Sequence, residues 1–181
     1  MSRTSGAPTT WIALLRGVNV GGVTIRNAEL AAVFRDLGVD GVKTVLASGN
    51  VRFEADARRT VLKARIEAAL RERFGYEAWI ALVTLDELEK AIAGFPFDAD
   101  DSSRQPYVLF CGDDAVRAEI IEAAGALDPD EDRVRDGPGV VYWSVQKGRT
   151  LDTPFGKLLG RARYKATTTT RNLRTLAKLV G

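Results

Sequence analysis

The chain has 181 residues, 45% of them hydrophobic and 28% charged, with a formal net charge of +2. This balance suits a folded protein of one domain or two small lobes and excludes a disordered polyelectrolyte. With no histidine and a single cysteine, Cys111, the chain excludes Ser-His-Asp and Cys-His catalysis, His-ligated metals and an internal disulfide, and no metal site is expected.

No apolar run reaches the ~20 residues that span a bilayer, and the opening MSRTSGAPTT has no apolar signal region. A cytoplasmic protein with no membrane partner is therefore expected. The small net charge hides segregation: residues 1–85 carry 12 basic and 8 acidic side chains, residues 86–136 carry 5 and 15, and residues 147–181 carry 9 and 1. The basic end offers a surface for phosphates, or neutralises the acidic middle within the fold.

In chain order, WIALL (11–15) reads as a buried strand, and RGVNVGG (16–22) follows as a glycine-rich loop. In NAELAAVFRDLG, Leu30, Val33, Phe34 and Leu37 form one helical face, Asn27 caps it and Gly38 is a left-handed stop. Residues 42–54 read as a hairpin turning at Ser48-Gly49-Asn50. A helix capped by Asp56 and closed by Gly75 places Leu62, Ile66, Leu70 and Phe74 in one row, and EAWIALV (77–83) is the next strand. The order βαββαβ is that of a ferredoxin-like unit. Thr84 and Glu87 then frame a capping box for a short helix.

FPFDADDSSRQP (95–106) has the composition of a linker. Beyond it come the strand YVLFC, a helix capped by Asp113 or Asp114, two strands around DGPG, and a helix with Thr153 as cap and Pro154 at its first position. A short helix, LRTLAKLVG, docks the C-terminus. The expected fold is α+β: a ferredoxin-like βαββαβ lobe over residues 10–94, a linker, and a second, smaller βαββα lobe with the C-terminal helix over 107–181.

Three loop-type segments carry the candidate chemistry. In RGVNVGG, Arg16 ends an apolar strand, where its fork can hold a phosphate or carboxylate, and Asn19, Gly21 and Gly22 supply donors and close backbone approach. The loop lacks both the dinucleotide spacing and the Walker Gly-Lys-Ser/Thr, so its alternative reading is a wide turn. Ser48, Gly49 and Asn50 read either as hydrogen-bonding groups or as a plain turn. In ARYKATTTTRN (162–172), Arg163, Lys165 and Arg171 surround four threonines, with Thr170 read as a helix cap. The alternative there is a strand or loop with solvated charges. Cys111 reads as a core residue.

The segments ALLRGVNVGG, LASGNVRF, GFPF and TTTTRN, in this order, resemble the mainly bacterial family called domain of unknown function 1697. The resemblance runs from Trp11 to nearly the end of the chain. It departs where relatives carry a lysine after the double glycine and where they read Arg-Asn-Trp-Asn-Thr; here the residues are Arg171-Asn172-Leu173-Arg174-Thr175. The resemblance implies an α+β fold with ferredoxin-like elements and no established activity, and it leaves any cofactor unknown. It singles out Arg16, Asn19, Gly21, Gly22, Ser48, Gly49, Asn50, Thr169, Arg171 and Asn172. The function expected is binding of an anionic, phosphate-bearing ligand such as a nucleotide. The alternatives are nucleic-acid binding through the basic C-terminal segment and an oligomeric structural module. An enzyme is the remaining reading, for which no catalytic base stands out.

Overall fold

The computed structural model describes residues 7–18 and 23–181. The chain forms two compact units that divide between Leu88 and Glu89. The first contains β1 (Thr9–Leu15), α1 (Asn27–Asp36), β2 (Asp40–Thr44), β3 (Asn50–Ala55), α2 (Arg59–Phe74) and β4 (Ile80–Thr84). Its antiparallel sheet has the order β2-β3-β1-β4. Trp11, Ala13 and Leu15 of β1 alternate onto the face covered by Leu30, Val33 and Phe34 of α1 and by Leu62, Ile66 and Leu70 of α2. Phe34 and Phe53 meet at 5.1 Å between ring centroids, a contact of a kind that contributes about 0.5–1.5 kcal/mol beyond area burial.

The helix ends follow the expected stops better than the expected starts. Gly38 and Gly75 take left-handed torsions of +75° and +67°. Asn27, however, is already inside α1, which starts from Arg26 without a side-chain cap. Asp56 likewise lies ahead of α2, whose capping position is Arg58. Both helices are held by their buried faces, which make a polar cap dispensable. The capping box at α3 (Leu85–Ala93) forms as read: the Glu87 carboxylate accepts from the Thr84 N–H at 2.9 Å, and the Glu87 N–H donates to the Thr84 hydroxyl at 3.2 Å. The division between the units falls within α3.

The second unit contains β5 (Arg104–Cys111), α4 (Asp114–Ala124), β6 (Asp132–Gly137), β7 (Val140–Gln146), α5 (Pro154–Leu159), α6 (Ala162–Thr167), β8 (Thr168–Asn172) and α7 (Leu173–Val180). Its antiparallel sheet has the order β6-β7-β5-β8. Each unit thus places a hairpin beside its first strand and returns its last strand to that strand's other side. The second unit is fuller than the βαββα expected, because the threonine run supplies a fourth strand. β-Branched residues fit a pleated surface, and Thr168 to Asn172 pair one for one with Tyr107 to Cys111 of β5. Thr170 is therefore a strand residue; the cap of α7 is Asn172, whose side chain accepts from the Arg174 N–H at 2.9 Å.

β5 begins within the segment expected to be a linker. Arg104, buried, donates from Nε to the Ser144 hydroxyl (3.0 Å) and from its two terminal nitrogens to the carbonyls of Ser144, Glu131 and Asp130. Phe95 and Phe97 of the GFPF motif stack edge to face, and Phe95 also meets Tyr142. Asp113, of the two candidates, caps α4 by accepting from the Val116 N–H at 2.8 Å.

The entry of α5 is fixed by two acceptors. The buried Asp132 carboxylate takes the Trp143 indole N–H and the Phe155 N–H, both at 2.9 Å, and Thr153 caps the helix at the Gly156 N–H. Any Cβ at Gly156 would lie 1.9 Å from the Thr150 carbonyl oxygen, so backbone must move. Gly156→Ala is expected to destabilise the protein by about 1–3 kcal/mol, the cost of overpacking, read as a fall in the urea midpoint; an unchanged midpoint would show that the 150–156 turn yields freely.

Candidate anion-binding site

At its C-terminal end β1 is held from both sides. The Leu15 N–H donates to the Gly49 carbonyl at 2.8 Å, and the next amide, of Arg16, donates to the Trp79 carbonyl at 3.0 Å. Gly49 sits at φ +75°, where a Cβ would lie 2.9 Å from Leu15 Cβ and 3.0 Å from Val18 Cγ2. Glycine is thus required there both by torsion and by space. Arg16 and the Ser48-Gly49-Asn50 turn are brought together at this rim of the first sheet.

The side chains of the turn are engaged within it. Asn50, fully buried, donates its amide to the Val45 carbonyl (2.9 Å) and the Ser48 hydroxyl (2.8 Å). These bonds brace a turn in which Leu46, exposed, has φ 57°, the one positive φ of a non-glycine among the described residues. Left-handed torsions cost such residues about 1–2 kcal/mol, and the Asn50 bonds offset that.

Arg16 is placed differently. One terminal nitrogen reaches the Glu77 carbonyl at 3.5 Å, while its Nε is buried and has no hydrogen-bond partner among the described residues. The Tyr76 hydroxyl is in the same condition. Antiparallel pairing of β1 with β4 sets the end of one strand beside the start of the other, so Arg16 and Tyr76 share one neighbourhood. Burial pushes the Tyr76 phenol above its ordinary range; the Arg16 charge lowers it and the Glu67 charge raises it. The phenol therefore stays protonated at neutral pH and is a donor, as is Arg16 Nε. Two buried donors without acceptors fit a ligand that only accepts.

Beside them, α2 closes the outer edge of β4. Lys63 donates to the Ile80 carbonyl and pairs with Glu67, which accepts from the Ile80 N–H at 3.0 Å. The Lys63 ammonium also lies over the Trp79 ring, 4.6 Å from its centroid. Sequence reading passed over Tyr76, Lys63 and Glu67. The Lys63–Glu67 spacing of four and a tyrosine directly after the helix-closing Gly75 are the signals that mark them.

Asn19, Gly21 and Gly22 lie outside the described residues. Thr169, Arg171 and Asn172 belong to β8 of the second unit. Arg171 is buried and donates to the Thr169 hydroxyl (2.7 Å) and the Thr170 carbonyl (3.1 Å). Burial lowers its guanidinium to about 10, which leaves it cationic at pH 7. Burial pushes the Cys111 thiol up to about 12, so it is no thiolate nucleophile at neutral pH. Among the described residues no group of three or more His, Cys, Asp or Glu side chains is placed to hold a metal ion, and no helix is long and apolar enough to cross a membrane.

The signature of a family described as "Protein of unknown function (DUF1697)" matches residues 9–142. The chain belongs to this family. The matched span includes the Arg16 loop and the Ser48-Gly49-Asn50 turn and stops short of Thr169, Arg171 and Asn172. Among solved structures, the chain is similar to the conserved bacterial protein SP0830 from Streptococcus pneumoniae, at 23% identity and a TM-score of 0.80 over 96% of this chain and 98% of that one. At that identity the likeness shows the shared fold. No curated protein matches the chain.

The raised Tyr76 phenol gives the site a pH signature. A group with a raised folded-state pKa contributes stability that is present below its unfolded value, about 10, and is lost as pH rises through the folded one. Tyr142 is raised by burial in the same way. Tyr76→Phe is expected to make the loss of stability above pH ~10 less steep without abolishing it, as measured by urea unfolding across the alkaline range. An unaltered slope would place Tyr76 in water.

Proposed function

We propose that the protein binds a small anionic, phosphate-bearing ligand, such as a nucleotide, at the rim of the first unit's sheet. The observation that carries this reading is that two neighbouring buried donors, Arg16 Nε and Tyr76 Oη, have no acceptor among the described residues. A buried polar group left unpaired costs about 1–3 kcal/mol, and an oxyanion spanning both removes that cost twice. The guanidinium adds full charge and a planar fork suited to phosphate oxygens. Ser48, Gly49 and Asn50 act in this reading as the brace that holds Leu15 and Arg16 in place. Thr169, Arg171 and Asn172 serve the second unit's sheet and the start of α7.

Thermal unfolding in the presence of pyrophosphate, nucleoside mono- and triphosphates and phosphosugars tests the reading. A ligand at 100 times its dissociation constant stabilises by about 2.7 kcal/mol, and the stabilisation should vanish in Arg16→Ala and shrink in Tyr76→Phe. No stabilisation by any of these anions, or an equal one in Arg16→Ala, would refute it.

A further inference from the structure

We infer that α5 and α6 of the second unit form a docking surface for the phosphate backbone of a nucleic acid. Lys157 of α5, and Arg161 and Lys165 at the start and within α6, are exposed, and none has an acidic partner among the described residues. The nearby cations are accounted for otherwise: Arg163 pairs with Glu119, Arg149 with Glu131, and Arg171 is buried. Lys147, Arg174 and Lys178 are exposed as well, but they lie on the turn after β7 and on α7, whereas Lys157, Arg161 and Lys165 follow one another along the consecutive helices α5 and α6.

α6 has little reason within the fold to look as it does. It is six residues long and none of them is fully buried; a helix that short is marginal however good its residues are, and of its side chains Tyr164 alone packs against the core. The Lys165 N–H donates to the Arg161 carbonyl at 2.9 Å, which sets the two cations one helical turn apart on one face. Like charges in that relation repel each other. A row of anions removes that repulsion. A polymer of phosphodiesters supplies such a row, where an isolated anion answers only one of the cations.

The chemistry also selects against other occupants and against base reading. A helix that lies on a lipid surface presents large apolar side chains, and the exposed apolar residues of α6 are Ala162 and Ala166 alone. Tyr164, its aromatic residue, is half-buried against the second unit's core and so is withdrawn from stacking on bases. Binding should then be independent of sequence and governed by counterion release. The surface lies in a different unit from Arg16 and does not depend on the small-ligand site.

Fluorescence anisotropy with a 30-base-pair duplex and a single strand of mixed sequence tests this. For three phosphates neutralised on a duplex, log K should fall against log salt with a slope of about −2.7, a loss of about forty-fold between 50 and 200 mM salt. The combined variant Lys157→Ala, Arg161→Ala and Lys165→Ala should lose the binding while keeping the wild-type far-UV spectrum and urea midpoint. The Lys157→Arg, Lys165→Arg variant should retain the binding, and Arg16→Ala should leave it unchanged. Any of three results would overturn the proposal: no binding by the wild type at 50 mM salt, unchanged affinity and slope in the alanine variant, or anionic vesicles or polyglutamate held as tightly as the duplex.

Discussion

Two consecutive amides at the end of β1 organise the first unit. The Leu15 N–H goes to the β3 side and the Arg16 N–H to the β4 side, so the central strand of the sheet ends under constraint from both neighbours. The approach to Gly49 is so close that a side chain there would collide with Leu15 and Val18. Everything proposed for the rim follows from this fixation. In the proposed site an arginine whose backbone is pinned on both sides has less freedom to lose on meeting an anion, which is the benefit of preorganisation.

Burial then determines what the pinned groups do. Arg104 and Arg171 are both buried cations with satisfied donors, and their work is to hold sheet and loop together. Arg16 keeps a buried nitrogen without an acceptor among the described residues, next to a tyrosine in the same state; Arg117 Nε shares that condition, but its terminal nitrogens are already paired with Asp114 and Asp136. The distinction lies in hydrogen-bond satisfaction, since Arg16, Arg104 and Arg171 are all arginines at or near strand ends. A buried donor that the fold leaves open is a cost, and a ligand is the natural means of removing it.

The α+β class, the repeated βαββ order and the helix faces of α1 and α2 were legible because they rest on local periodicity. The capping box at Thr84 and Glu87 was legible because its two hydrogen bonds join residues three apart. The fourth strand of the second unit was not, since Thr168 to Asn172 read equally as loop until β5 is there to pair with them. Arg104 hid in an acidic stretch with linker composition, its partners lying some 26 to 40 residues away. The candidate site was half visible. Arg16 showed itself by ending an apolar run, whereas Tyr76 is brought to it by antiparallel pairing over 60 residues of separation, which no local pattern records. The Ser48-Gly49-Asn50 motif was noticed for its polarity, and the structure gives that polarity a bracing role.

The most direct test of the Arg16 site observes its Nε–H itself. In a proton–nitrogen correlation spectrum of the arginine side chains, with the Arg16 signal assigned by its absence in Arg16→Lys, pyrophosphate is titrated at constant ionic strength against chloride. The account predicts a saturable downfield shift of the Arg16 Nε–H that chloride does not produce and that weakens in Tyr76→Phe. An Arg16 signal that stays in place while the exposed arginines respond would contradict it.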